Sequence, residues 1–206
     1  MAPLPPDLDA RVAAAAEVLR RGGLVAYPTE TFYGLGALAR DAEALDRLAR
    51  AKLRPEGKPL PLLAADVAQV NTVARLDGLA ARLAARFWPG PLTLVLPAAP
   101  DLDAAITAGS GTVAIRVPGG EIARSLARQA GGAIVSTSAN LSGEPPPTAA
   151  SELSPDLVAR IDHVLDGGRT PGGLPSTIVE VAGEGVRLLR EGAIPLEAVR
   201  RACVAR

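Results

Sequence analysis

Lys52-Leu53-Arg54-Pro55-Glu56-Gly57-Lys58-Pro59-Leu60 is the stretch from which the fold is read. Ahead of it, Asp41 can cap a helix whose apolar residues Ala44, Leu45, Leu48 and Ala49 recur at helical spacing. Behind it, residues 60–64 form a short apolar run of strand type. Pro55, Gly57 and Pro59 prevent the helix from continuing, so the stretch is a stiff helix-to-strand junction. Of the 22 cationic side chains only Lys52 and Lys58 are lysines, and both fall here with Arg54 between them. As side chains projecting from a turn, these three cations suit a polyanion with several oxygens, such as a triphosphate. The plain alternative is a solvated basic loop. Exposed cations of this kind carry little stability, so their removal is expected to leave the fold intact.

Working outward, the segment toward the N-terminus mixes apolar and polar character abruptly. A helix is predicted over residues 13–21, with Asp7 or Asp9 as its cap and Gly22-Gly23 as its end. Leu24-Val25-Ala26-Tyr27 reads as a buried strand that runs into Pro28-Thr29-Glu30-Thr31-Phe32-Tyr33-Gly34-Leu35-Gly36. Hydroxyls, a carboxylate and two of the chain's five aromatics at a strand end suggest the wall of a binding site. Gly34-Leu35-Gly36 does not continue into a dinucleotide-binding fingerprint.

Toward the C-terminus, helices are predicted over 66–73 and 77–87, the second ended by Phe87-Trp88-Pro89-Gly90-Pro91. Trp88 reads as a packing anchor. Residues 92–96 and 112–117 are strands, and on the second Thr112, Ala114 and Arg116 share one face. An arginine there needs an anion, either a buried carboxylate partner or a ligand. A helix over 121–129 and a strand over 133–135 lead into Ser136-Thr137-Ser138-Ala139-Asn140-Leu141-Ser142-Gly143. Its hydroxyls and amide can satisfy phosphate or carboxylate oxygens, or can close a turn on their own backbone. After Pro145-Pro146-Pro147, Thr148 can cap a short helix. Strands over 162–165, 176–181 and 186–189 and a helix over 197–202 complete the chain. Helices and strands mixed without strict alternation indicate one α/β domain built on a mixed sheet.

Composition narrows the function classes. The 206 residues suffice for one substantial core, and 48% hydrophobic content excludes general disorder. Twenty-two acids balance 22 bases, so any nucleic-acid contact must rest on a local patch. No apolar run reaches membrane-spanning length, and residues 1–9 lack a signal-peptide pattern; a cytoplasmic home is the expectation. The one cysteine, Cys203, excludes an intramolecular disulfide, and the one histidine, His163, excludes a His-rich metal site. Ser-His-Asp and Cys-His chemistry is not expected.

Taken in order, Tyr27-Pro-Thr-Glu-Thr31, Tyr33-Gly-Leu-Gly36, Lys52-x-Arg54-Pro55, Lys58-Pro-Leu60, Phe87-Trp-Pro-Gly-Pro-Leu-Thr93, Ile115-Arg-Val-Pro118, Ser138-Ala-Asn-Leu-Ser-Gly143, Pro175-Ser-Thr-Ile178 and Arg190-Glu-Gly192 resemble the YrdC family. These are the threonylcarbamoyl-AMP synthases that begin threonylcarbamoyl modification of adenosine in tRNA. The resemblance spans residues 22–192, and it is the order and spacing of the motifs that make it specific. It implies a single YrdC-like domain over 1–206 (core about 10–200), a twisted mixed parallel/antiparallel sheet with flanking helices, and a concave basic cavity. It implies that L-threonine, bicarbonate or CO2, and ATP give threonylcarbamoyl-AMP and pyrophosphate, with Mg2+ bound mainly through ATP and no protein metal ligands. Lys52, Arg54, Lys58, Thr112, Ser138, Asn140, Pro146 and Arg190 would bind ATP, Lys52 and Arg54 being catalytic. Thr31, Leu63, Arg116, Ser136 and Ser176 would line the threonine site, with Arg116 on the carboxylate. Glu30 is a candidate general base by position.

Three positions depart from the pattern. Leu53 stands where many relatives have glycine, Pro146 where they often have serine, and Leu63 where some longer members have histidine. The expected form is the short, bacterial type with no additional C-terminal domain, no membrane contact, and a separate tRNA-modifying transferase complex as acceptor of the product. Two alternatives differ in class: a paralogue that binds RNA through the cavity without adenylation, and a stand-alone carbamoyl-transfer domain. Lys52-x-Arg54 with Ser138-x-Asn140 speaks against the first, and the absence of acylphosphatase and zinc-finger modules against the second. Direct RNA binding by the enzyme itself would be weak and salt-sensitive.

Overall fold

In the computed structural model, which describes residues 4–53 and 57–204, the N-terminal segment forms α1 (Pro6–Arg20). This helix begins before the predicted residue 13 because Pro5 and Pro6 lie at its start, where a missing N–H costs nothing. Asp7 and Asp9 therefore sit in its first turn rather than capping it. The chain continues through β1 (Val25–Pro28), β2 (Tyr33–Gly36), α2 (Ala42–Ala51), β3 (Leu62–Leu63), α3 (Val67–Val70), α4 (Gly78–Phe87), β4 (Leu92–Pro97), α5 (Ala104–Thr107), β5 (Thr112–Arg116) and α6 (Glu121–Ala130). It ends with β6 (Ile134–Val135), β7 (Thr137–Ser138), α7 (Pro155–Val158), β8 (His163–Val164), β9 (Thr177–Ala182), β10 (Gly185–Arg190) and α8 (Leu196–Val204). Asp41 and Asp66 cap α2 and α3 by accepting from Ala44 N–H and Gln69 N–H. Thr148 is not a cap; its N–H and hydroxyl donate to Glu152 at 2.7 and 2.9 Å.

The strands form two mixed sheets, β7-β2-β1-β8 and β10-β9-β4-β5-β3-β6, where one was expected. The division arises at Ser136. Before it, β6 pairs antiparallel with β3, Val135 opposite Leu62; after it, β7 pairs antiparallel with β2, Ser138 opposite Gly34. Ser136 itself donates its N–H to Pro61 O at 2.8 Å, so the backbone stays bonded as it passes between sheets.

Neighbouring strand residues face opposite ways, and the two apolar clusters record this. Leu62, Val135 and Ala26 join the larger cluster, together with Leu45, Leu48, Leu83, Leu92, Leu94 and Ile115. Leu63, Ile134, Val25 and Tyr27 join the second, where α1 and α6 pack through Val12, Leu19, Leu126 and Ala127. Among the described residues no helix is long and apolar enough to cross a membrane.

The two glycines of Gly34-Leu35-Gly36 have a packing reason. The fully buried Tyr27 ring lies over β2, and its hydroxyl donates to Val135 O at 3.0 Å. A Cβ on Gly36 would lie 2.8 Å from Tyr27 Cε1 and 3.1 Å from Val135 O. Burial raises the Tyr27 phenol well above its usual range, which keeps the hydroxyl protonated as a donor.

Gly36→Ala is expected to lower unfolding stability by about 1–3 kcal/mol through overpacking. Gly132→Ala, whose Cβ would meet only Leu38 Cδ2 at 3.6 Å, should change it by less than about 0.5 kcal/mol. Urea unfolding of both variants measures the contrast, and equal effects would remove the packing explanation.

Candidate active site

Four adjacent strands of the larger sheet, β10-β9-β4-β5, present alternate residues to one concave face. Arg187 and Leu189, Ile178 and Glu180, Thr93 and Val95, and Thr112, Ala114 and Arg116 thereby line one cavity of about 660 Å³. The opposite wall is the turn carrying Thr29, Thr31 and Phe32, with Gly34 of β2, and the sheet-switching segment Ser136-Thr137-Ser138. The volume lies within the range of small-molecule sites.

At one end hydroxyls gather around two arginines. Arg190 donates through Nε and Nη2 to Ser176 O at 3.1 and 2.8 Å, and through Nη2 to Ser176 Oγ at 2.9 Å. Ser176 Oγ is 2.8 Å from Thr93 Oγ1, and Thr31 Oγ1 is 3.2 Å from Thr29 Oγ1. Arg116 Nη1 donates to Glu30 Oε1 in an ion pair that is largely buried on both sides. Desolvation lowers the pKa of Arg190 from its ordinary value, and the facing charge of Arg116 lowers it further. Toward the other end, Ser110 Oγ and Thr112 Oγ1 are 2.9 Å apart, and Arg187 pairs with Glu180 directly across the β9–β10 register. Arg190 is the one lining arginine without a carboxylate partner among the described residues.

Lys52 does not project from its loop. It ends α2 with its side chain buried, and its ammonium donates to Ser138 O and, at 2.7 Å, to Asn140 O. The Lys52 carbonyl in turn accepts from Ser142 N–H at 3.3 Å and from Ser142 Oγ at 3.2 Å. The basic junction and the Ser138-Ala-Asn-Leu-Ser142 turn are thus clamped by backbone oxygens, and removal of the lysine takes a charged donor from both carbonyls. Asn140 closes its own turn, donating from Nδ2 to Leu141 O at 2.8 Å and Glu144 O at 2.7 Å, while its Oδ1 is buried without a partner among the described residues. Leu53 takes the left-handed conformation, φ 51°, immediately after the helix, where glycine is the residue without steric cost.

Of the residues assigned to the nucleotide from sequence, Thr112, Ser138 and Arg190 line the cavity. Lys52 reaches Ser138 from behind; Lys58 is exposed and Pro146 half-buried, both off the wall; Arg54 lies outside the described residues. Of those assigned to the amino acid, Thr31, Arg116, Ser136 and Ser176 line it. Leu63 does not: strand alternation turns it into the second core, and Leu62 takes the cavity side. Sequence reading missed Thr93, Glu180 and Arg187. Alternation from Ser176 would have reached Glu180, whereas Arg187 requires the hairpin register.

The Sua5/YciO/YrdC family model, described as telomere recombination, matches residues 17–192. The threonylcarbamoyl-AMP synthase of Pyrococcus abyssi is 43% identical over 192 residues, covering 93% of this chain and 56% of that protein. The Bacillus subtilis threonylcarbamoyl-AMP synthase is 44% identical over 193 residues, with 93% and 56% covered. The chain thus spans little more than half the length of these two relatives. A crystal structure of P. abyssi Sua5 complexed with L-threonine superposes with a TM-score of 0.89 at 42% identity, covering 94% of this chain and 57% of that one.

Two substitutions test the clamp and the turn beside it. Lys52→Ala should cost about 1.5–3 kcal/mol of stability, since the charge-assisted hydrogen bonds to the Ser138 and Asn140 carbonyls are lost. An unchanged thermal midpoint would return Lys52 to the class of exposed cations. Leu53→Gly should instead stabilise by about 0.5–1 kcal/mol, because Leu53 is 61% exposed and gives up strain rather than packing. A lowered urea midpoint for Leu53→Gly would show that its side chain holds the junction.

Proposed function

Because the chain belongs to the Sua5/YciO/YrdC family, we propose that it joins L-threonine, bicarbonate or CO2, and ATP into threonylcarbamoyl-AMP, releasing pyrophosphate. The observation that carries this reading is one cavity lined by Thr31, Arg116, Ser136 and Ser176, by Arg190 bonded to Ser176, and by Ser138 and Thr112. The relative solved with L-threonine supports it through its 42% identity and TM-score of 0.89.

The chemistry asks for charge neutralisation and alignment rather than a covalent nucleophile. The ammonium of threonine gives up two of its three protons to bicarbonate or solvent, and its nitrogen bonds to the carbon of CO2, giving a carbamate that keeps one N–H. A carbamate oxygen then bonds to the α-phosphorus of ATP as the bond from that phosphorus to the β-phosphate bridging oxygen breaks, and pyrophosphate departs with that oxygen. The unengaged edge of Arg116 takes the threonine carboxylate, and the hydroxyls of Thr31, Ser136 and Ser176 fix the rest of the amino acid. Arg190 has no carboxylate partner among the described residues, and its bonds to the neutral Ser176 leave its charge to meet that building on the phosphates. Ser138, braced from behind by Lys52, orients the nucleotide at the β7 end.

Mg2+ belongs to ATP in this reading, supplying charge to its phosphates. The one carboxylate on the cavity wall among the described residues, Glu180, is engaged by Arg187, and no three His, Cys, Asp or Glu side chains cluster there to hold an ion. A tRNA-modifying transferase would receive the product, which places the reaction in the cytoplasm with tRNA.

Pyrophosphate release from ATP, with Mg2+ and bicarbonate present, should depend on L-threonine and fail with L-alanine. Arg190→Ala should lower the rate roughly 100-fold without unfolding the protein. Release that ignores threonine, or none from folded protein, would overturn the assignment.

A further inference from the structure

Glu30 is the carboxylate closest to the amino-acid end of the cavity, and its surroundings give it a task other than proton transfer. The Thr29-Glu30-Thr31-Phe32 turn is closed by the Thr29 hydroxyl, which donates to Phe32 O at 2.8 Å and accepts from Thr31 N–H at 3.2 Å. The Gly119-Gly120 turn presses against it: a Cβ on Gly120 would lie 3.1 Å from Glu30 N, and one on Gly119 3.6 Å from Glu30 Cγ. Glu30 is therefore held from both sides.

Its Oε1 accepts from Arg116 Nη1, and its Oε2 is buried without a partner among the described residues. Neither oxygen is open to a proton on a ligand, and Glu30 is not part of the cavity lining. Arg116 is part of that lining, and among the described residues no acceptor other than Glu30 takes its N–H groups. The guanidinium is planar with donors in a rigid fork, so fixing one edge fixes the direction of the other.

We propose that Glu30 is a positioning residue for amino-acid recognition: it locks one edge of Arg116 so that the other faces the ligand carboxylate, and it balances the Arg116 charge when the site is empty. The proposal deepens the reading above and rests on it for the identity of the amino acid. It also removes Glu30 as the general base. Without this carboxylate Arg116 swings and faces Arg190 as a second uncompensated cation, so the carboxylate of the amino acid loses its seat while the nucleotide end is unaltered.

Steady-state kinetics of Glu30→Gln should show KM for threonine raised about 10- to 100-fold, the loss of one aligned charge-assisted hydrogen bond. KM for ATP and kcat at saturating threonine should stay within about threefold. Discrimination between threonine and threoninol, its alcohol analogue lacking the carboxylate, should shrink by the same factor as KM rises. A fall in kcat of about 100-fold with threonine KM unchanged would identify a base and defeat the proposal; so would an unaltered threonine-to-threoninol ratio. If Glu30→Gln fails to fold, Glu30→Asp keeps the charge but withdraws it by one methylene, and the same rise in KM for threonine is expected. Calorimetric titration of L-threonine into both proteins separates the two readings. Weaker binding in the variant supports Glu30 even if wild-type protein releases no pyrophosphate, an outcome that would sink the reaction alone.

Discussion

One segment of backbone belongs to both sheets, and the cavity exists because of it. Residues 133–138 bond to Ala37 and Ala39 on one side and to Pro61 and Leu62 on the other, with Val135 N–H reaching Ala37 O at 2.8 Å and Ser136 N–H reaching Pro61 O at 2.8 Å. A buried strand cannot leave such groups unpaired, so it cannot slide without losing several bonds at once. The sheets diverge beyond Ser136, and the wedge between them is the space that Thr31, Ser138 and the β10-β9-β4-β5 face enclose. Tyr27 fixes the opening by standing on two glycines and bonding to Val135 O. Strand pairing, aromatic packing and the site are consequently one arrangement.

The Lys52 ammonium extends that constraint past the end of β7. Burying a cation is costly unless its donors are satisfied. Here its acceptors include the carbonyls of Ser138 and Asn140, and the same lysine's own carbonyl takes two bonds from Ser142. Lysine suits this position because a compact ammonium fits between carbonyls where a forked guanidinium would not. In a chain that otherwise uses arginine, its retention at this spot has a geometric reason.

What could be read from the sequence follows from what is local. The cap at Asp41, the strand character of residues 24–27 and 112–116, and the shared face of Thr112, Ala114 and Arg116 are all set by short-range periodicity and side-chain chemistry. Thr31, Ser136 and Ser176 as wall residues rest on the family resemblance, since hydroxyls at strand ends can equally close turns on their own backbone. Burial was not legible. Lys52 reads as a loop cation because proline and glycine surround it, yet whether it points outward is decided by a turn that lies 86 residues further along. The same holds for Leu63, whose facing depends on which strands flank β3, and for Arg187, whose partner Glu180 is set by the hairpin register. Arg116 had two readings, carboxylate partner or ligand, and the structure shows the pair with Glu30.

The distribution of charge in the cavity follows from these pairs. Its lining carries three arginines, yet Arg116 is compensated by Glu30 and Arg187 by Glu180. Counting basic residues therefore overstates the field that an approaching polyanion meets, which agrees with a chain of 22 acids and 22 bases. Arg190 is the exception, and its guanidinium is tied to the neutral Ser176 carbonyl and hydroxyl instead. Neutral partners hold its orientation without cancelling its charge, so the field is concentrated at one point where Arg116 stands close enough to disfavour it. An anion placed between the two arginines relieves that repulsion and gains both sets of donors. The free energy of the empty site is thereby raised where an anion would relieve it.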